Sequence, residues 1–384
     1  MQMLEITVTR QRILRLFLAL SCIFYLPAHG ATSETLKKTD STDSQIKVEK
    51  RAFENKASAT ILVANGSGGP TKVVVDRSLE TLLPEYKKFQ VAFLDLSNGR
   101  RIPKITVADI TGRIIHSFEI PKERFHADWT HWGAGIAFDA EHRSLWYLAP
   151  KVGLTEFNLA GEVQRVIDYP TASHQIQITK ERTFITPYSW DATLDPKVTE
   201  FDENGRVLFS WNGAGRLASL RKNETVARGQ PPSYTATTSA VKTARGSYYL
   251  SLSQWNKILK ISPAGEITDE ISVSVRPHTL VVSGEELIGY TARQPNRAFV
   301  RNVECNCLKE IELTEGLPGD DRNGPDSARS LSLQRLNDDV WFLSGNRGLY
   351  LFTSAGKRLW TLEHEGLQRR PISFHAAVFF KAAQ

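Results

Sequence analysis

Five stretches of this chain repeat one pattern. They are ADITGRIIHSF (108–118), FNLAGEVQRVI (157–167), FDENGRVLFSW (201–211), ISPAGEITDEI (261–271) and FTSAGKRLWTL (352–362). Each has a lead-in, a tight turn with Gly at a fixed place, a charged or polar residue, and then an alternating strand. Such recurrence constrains a fold strongly, because a repeated unit cannot bury its apolar face alone and must stack on its neighbours. The turn glycines Gly112, Gly161, Gly205, Gly265 and Gly356 are separated by 49, 44, 60 and 91 residues. The last interval is two periods, which implies a further turn near residue 306. Aligning FVRNVECNCLKEIEL (299–313) on ILKISPAGEITDEI sets Asn306 opposite Gly265. After Gly, Asn is the residue best able to occupy a left-handed turn position. The chain therefore carries six units, about 45 to 60 residues apart.

Around each turn the pattern is β. KITVADI, GLTEFNL, KVTEFDE, KILKISP and GLYLFTS lead in, and RVLFSW, EITDEISV and KRLWTL lead out. SLWYLAP, GSYYLSL and DVWFLSG precede them, and HQIQITK, SAVKTA, TLVVSG and SLSLQRL come before those. Four short strands per unit at this period indicate a propeller blade. The fold class is thus all-β: a six-bladed β-propeller of four-stranded antiparallel blades over residues 85–384. The first blade, starting near Gln90, is one strand short, and ISFHAAVFF (372–380) is a lone strand with no blade after it. Pairing the two closes the ring and removes two exposed sheet edges. Residues 58–84 form an N-terminal extension, read as a hairpin with a short helix or as a contributor of a closing strand. The competing architectures are a seven-bladed ring and a pair of β-sandwiches.

The N-terminus is read separately from the fold. Arg10, Arg12 and Arg15 precede an apolar run from Leu16 to Leu26, and Ala28-His29-Gly30 offers small residues for cleavage after Gly30. The run is about ten residues long, and a spanning helix needs about 20. Residues 1–30 are expected to be a signal peptide of an exported (periplasmic or extracellular) protein, with a lipoprotein through Cys22 or a retained anchor as alternatives. Residues 31–57 are polar and charged, and are expected to be a flexible tether. No second apolar stretch could span a membrane, so none is expected in the mature chain. The whole chain is +6, and residues 1–30 hold three Arg and one Glu, which leaves +4 for the remainder. Basic residues do not cluster with interleaved aromatics, which argues against nucleic acid as a partner.

In a propeller the inner strand of each blade runs beside the central channel, and the starts of these strands converge on one mouth. Here they read FHADWTHWG (125–133), ASHQIQI (172–178), PSYTATT (232–238), RPHTLVV (276–282), ARSLSLQ (328–334) and SFHAAVF (373–379). His126 or His131, His174, His278 and His375 fall near equivalent places, and Tyr234 occupies a fifth. Only eight His lie beyond residue 30, so this concentration is the strongest functional signal in the chain. Two long loops, 213–232 and 315–328, belong to the same face, and Arg276 and Arg329 would make the mouth basic. Three readings stand side by side: solvated structural histidines, a site for a small anionic ligand or partner protein, and a transition-metal site.

The repeated D/N-x-x-G turns and aromatic outer strands resemble the six-bladed propellers of the NHL and arylsulfotransferase-like group, over about residues 85–380. The resemblance implies a channel histidine acting as nucleophile toward a sulfuryl group, with other His and Arg side chains holding the anion. His278 is then the candidate nucleophile, and His174, His375 and Arg276 the anion binders. This chain departs from that pattern at Thr279 after His278, at Gln175 after His174, and at Tyr234 in place of a further His. Lactonase-like propellers hold Ca²⁺ through carboxylates and amides, and the strand starts here offer Asp128 and little else. The sequence names no cofactor and assigns no metal ligand. Cys305 and Cys307 flank Asn306, and are read either as a small disulfide stabilising that turn or as two free thiols.

Overall fold

Apolar runs such as SLWYLA and VWFLSG lack the polar alternation of a half-exposed strand, and a strand of that kind must be covered on both faces. The computed structural model describes residues 58–65, 68–76, 86–95, 103–126, 133–188, 197–213, 215–217, 236–292, 297–302, 307–312, 330–345, 348–364 and 376–382. All belong to the unit Ile46–Gln384. The expected signal peptide, the tether and Asn306 lie outside the described residues.

A hairpin, β1 (Ser58–Asn65) and β2 (Gly68–Asp76), comes first. The first blade contributes β3 (Phe89–Asp95), β4 (Lys104–Asp109) and β5 (Ile114–Glu119). The second holds β6 (Gly135–Asp139), β7 (Ser144–Ala149), β8 (Gly153–Asn158) and β9 (Val163–Asp168). The third holds β10 (Gln177–Ile178), β11 (Phe184–Pro187), β12 (Val198–Phe201) and β13 (Val207–Trp211). In the fourth are β14 (Ala240–Lys242), β15 (Tyr248–Leu252), β16 (Lys257–Ile261) and β17 (Ile267–Ser272). The fifth is β18 (Pro277–Ser283), β19 (Glu286–Ala292), β20 (Arg297–Asn302) and β21 (Cys307–Glu312). The sixth is β22 (Ser330–Arg335), β23 (Val340–Gly345), β24 (Gly348–Thr353) and β25 (Arg358–His364). The last strand, β26 (Ala377–Lys381), returns to pair with β3. The molecule is a six-bladed β-propeller of antiparallel four-stranded blades, closed by its C-terminal strand. The extension at 58–76 is a hairpin, and it pairs through β2 with the outer edge of the sixth blade rather than closing the ring. No described helix is long and apolar enough to cross a membrane.

The apolar core is divided into six layers, one between each pair of consecutive blades. Side-chain alternation along the strands makes this division. On β7, Leu145 and Tyr147 pack toward the first blade, while Trp146 and Leu148 pack toward the third. On β23, Phe342 faces the first blade and Trp341 and Leu343 the fifth. Fully burying one such aliphatic or aromatic side chain contributes roughly 1.5–3 kcal/mol, so each interface is a large stabilising contact.

The repeated turn has one geometry. Its first residue (Asp109, Asn158, Asp202, Ser262 or Thr353) has a carbonyl that accepts from the Gly N–H three positions on. In the first four, its side chain accepts from the N–H of Arg113, Glu162, Arg206 or Glu266, and Thr353 Oγ1 accepts from Lys357 in the last. The five glycines have φ between 79° and 92°, where a Cβ is disfavoured. A register shift follows each turn at the same place. The fifth blade differs: β20 and β21 pair without a shift, from Arg297↔Glu312 to Asn302↔Cys307.

Neighbouring blades are also tied by polar side chains. Gln334 on β22 donates to the Phe379 carbonyl (2.9 Å) and accepts from the Phe379 N–H (3.1 Å). At the equivalent place Gln177 on β10 donates to the Lys242 carbonyl (3.1 Å) and accepts from its N–H (2.5 Å). A primary amide thus stands in for a ladder between adjacent inner strands. Between the third and fourth blades the buried Glu200 carboxylate accepts from Lys242 Nζ (2.7 and 2.9 Å), from Thr183 Oγ1 and from Tyr248 Oη. Burial alone would raise this carboxyl, but the bonds from Lys242, Thr183 and Tyr248 and the Lys242 charge hold it below the usual carboxylate range. Burial and the same carboxylate push Tyr248 upward, so it stays a donor.

Two outcomes are expected from these ties. Gln334→Leu leaves the Phe379 N–H and carbonyl unpaired at the closing seam, and should lower unfolding stability by about 1–3 kcal/mol in denaturant melts. An unchanged midpoint would dismiss the clamp. Glu200 is depressed in the fold, so its stabilisation is present above the unfolded carboxylate value and is lost as pH falls through the folded one. Stability measured from pH 6 downward should therefore fall with acid, and Glu200→Gln should remove part of that slope.

Candidate functional site

The starts of the inner strands were expected to gather the histidines, and two of them meet. The His174 and His278 rings lie edge to face, with centroids 5.7 Å apart and planes at 62°. They come from the third and fifth blades. The start of the fourth blade's inner segment is threaded between the strands that carry them.

His174 sits before β10 in a left-handed conformation, φ 69°, which is unusual for a residue with a Cβ. Its N–H donates to the Gly133 carbonyl of the second blade. Two glycines of the GAGI stretch allow this approach. A Cβ on Gly135 would fall 2.8 Å from the His174 carbonyl oxygen, and one on Gly133 would fall 3.0 Å from His174 Nδ1. The ring is further oriented by Ser173, whose Oγ lies 3.0 Å from Nδ1.

His278 lies on β18 and is 8% exposed. Its Nδ1 is 3.3 Å from Thr279 Oγ1, and the Thr279 N–H donates to Thr291 Oγ1 at 3.0 Å. The His278 carbonyl accepts from Thr238 Oγ1 at 2.9 Å. Thr238 belongs to a buried hydroxyl cluster, with Ser251 and Ser253 each 3.1 Å away. Ser239 Oγ donates to the Gln175 amide oxygen and accepts from the Leu280 N–H at 2.9 Å. These side chains explain why β10 and β14 are only 2 and 3 residues long: before them, hydroxyls and an amide satisfy the backbone in place of a ladder. The outcome is a firmly held wall carrying two imidazoles.

Nδ1 of each ring lies beside a neighbouring hydroxyl, which orients the imidazole. A pair of imidazoles within reach of one small group can hold an anion by hydrogen bonds, and either ring has the chemistry of a nucleophile or base. Among the described residues, no group of three His, Cys, Asp or Glu side chains is placed to hold a metal ion. Of the other expected residues, His126 and Arg276 are exposed, with Arg276 two positions before His278. His131, Tyr234, His375 and Cys305 lie outside the described residues, and Cys307 opens β21. Sequence reasoning did not single out Gly133, Gly135, Ser173 or Thr238. The G-A-G spacing just before an inner strand was the available signal for the first two.

No protein-family model matches the chain, and no curated protein sequence does. Solved structures do resemble it. A protein of unknown function from Bacteroides caccae is 14% identical, with a TM-score of 0.54 over 76% of this chain and 99% of its own. A chain of a nidogen/laminin complex is 13% identical, with a TM-score of 0.49 over 77% and 100%. A catalytically inactive virginiamycin B lyase from Staphylococcus aureus, solved with quinupristin, is 13% identical with a TM-score of 0.40 over 83% and 99%. At these identities the Bacteroides caccae likeness speaks to the β-propeller fold alone, and the two below a TM-score of 0.5 carry no weight.

The glycine contacts yield a local test. Gly135→Ala should displace the His174 backbone and ring while leaving the blades folded, seen as shifted imidazole resonances with a nearly unchanged melting temperature. If the His174 resonances stay where they are, the glycine does not position that ring.

Proposed function

We propose that this chain is an exported propeller of the NHL or arylsulfotransferase-like type that binds a small anionic ligand at the mouth bearing His174 and His278. In this reading residues 1–30 are removed on export and residues 31–57 tether residues 58–384. The observation that carries the proposal is the meeting of two imidazoles from non-adjacent blades on a buried wall of hydroxyls. Arg276, exposed and close in sequence to His278, adds a cation to the same approach. Hydrogen bonds to an ionised partner are about twice as strong as neutral ones, so a few such donors suffice for a small anion. His126, His131, Tyr234 and His375 complete the proposed ring of ligand contacts, and a protein partner presenting an acidic group would use the same donors.

The rival reading is catalytic, with His278 as nucleophile in sulfuryl transfer. The departures at Thr279, Gln175 and Tyr234 set it second. Both are separated by titrating the purified chain with 4-nitrophenyl sulfate, following the histidine ring signals and 4-nitrophenol release with a phenol acceptor. The expected result is saturable binding without turnover, weakened at least about tenfold in His278→Ala and in His174→Ala. Turnover abolished by His278→Ala would replace the binding reading with the enzyme. Neither binding nor turnover would reject both for this ligand class.

A further inference from the structure

The opposite mouth of the channel, where the inner strands end, carries a different set of groups. A cavity of about 490 Å³ lies where the ends of β22 and β26 meet the turn after β6. That is within the range of about 300–1,000 Å³ typical of small-molecule sites. Its apolar wall includes Phe138 and Phe380, stacked with ring centroids 4.1 Å apart. Arg143, Arg335 and Lys381 also line it, and no lining residue is acidic.

The placement of Arg143 is the informative detail. It occupies a left-handed turn position, φ 53°, in the hairpin joining β6 and β7. Such a conformation is disfavoured for a residue with a Cβ. In the corresponding hairpins of the fourth and fifth blades the left-handed residue is a glycine, Gly246 or Gly284. The third blade uses Arg182 instead, φ 55°, and there the strain has an internal purpose. The Arg182 guanidinium pairs with Asp139 (3.1 Å), Glu156 (3.3 Å) and Glu203 (3.2 Å). Arg143 pairs with no described side chain. Lys381, at the exposed end of β26, has none either. Arg335 is partly engaged at the rim, donating to the exposed Asp338 at 2.6 Å and to the Asn337 carbonyl at 3.1 Å. Strain held at a residue with no side-chain partner among the described residues points to a partner from outside.

We propose that this cavity binds a small amphiphilic anion, its acid group held by Arg143 and Lys381 with Arg335 at the rim, and its flat apolar body lying on Phe138 and Phe380. The site is separate from the histidine mouth, at the other end of the channel. Its ligand class is an aromatic or acyl carboxylate, sulfonate or phosphate monoester: one charged end, one apolar end.

The test uses the full chain and 8-anilinonaphthalene-1-sulfonate, whose fluorescence rises in an apolar site. The comparison probe is N-phenyl-1-naphthylamine, the same body without the sulfonate. The expected result is saturable binding of the sulfonate with a rise in fluorescence, at least about tenfold tighter than the neutral amine. Arg143→Gly and Lys381→Ala should each weaken the sulfonate several-fold, and the double variant should bind both probes alike. Arg143→Gly relieves the left-handed strain, so its melting temperature should not fall, which separates lost binding from lost structure. The fluorescent sulfonate site should persist in His278→Ala. Equal affinity for the two probes, unchanged binding in the double variant, or loss of binding on His278→Ala instead would overturn the proposal.

Discussion

Every other feature of this molecule depends on one constraint: a blade whose strands are apolar on both faces is stable only between two other blades. Tyr147 and Trp146 are neighbours in sequence, yet they belong to different inter-blade layers. No blade owns a core of its own, so the ring must close for the first and last blades to be covered. β26 performs that closure as the innermost strand of the first blade, and the Gln334 amide fastens it to the sixth. Without it, the apolar face of the sixth blade, with Phe342 and Trp360, would meet water.

The same constraint shapes where chemistry can sit. Packing between blades draws on every strand position, and the inner strands also line a channel. There they form no ladder with one another, and side chains bridge them: glutamines near the strand ends, a serine and a threonine between the starts of the fourth and fifth blades. Bridges of this kind fix the backbone without filling the channel with apolar bulk. They also bring His174 against His278 although their blades are not adjacent. At the two mouths the chain therefore displays different chemistry, imidazoles and hydroxyls at one, cations and phenylalanines at the other.

Much of the architecture was legible because it rests on local rules repeated at intervals. The turn glycines were marked by spacing alone, and all five adopt the left-handed conformation their placement implied. The lone strand at the C-terminus and the missing strand of the first blade implied each other. Less legible were details that depend on contacts between blades. The extension at 58–84 was read either as a hairpin with a short helix or as the source of a closing strand, and for 58–76 the choice was made by the free edge of β25. The fifth blade's outer hairpin lacks the register shift of its counterparts, an irregularity no glycine spacing could announce.

The sequence by itself determined the number of blades and the order of their strands. These follow from period-two burial, from turns that need a left-handed residue, and from the intolerance of exposed sheet edges. Only the tertiary structure decided which histidines meet, because His174 reaches His278 through a left-handed backbone seated against Gly133 and Gly135 of a different blade. It alone also brought Arg143, Arg335 and Lys381 to one cavity. They are distant in sequence and carry no pattern, and their meeting is a consequence of ring closure, which makes the last strand a neighbour of the second blade.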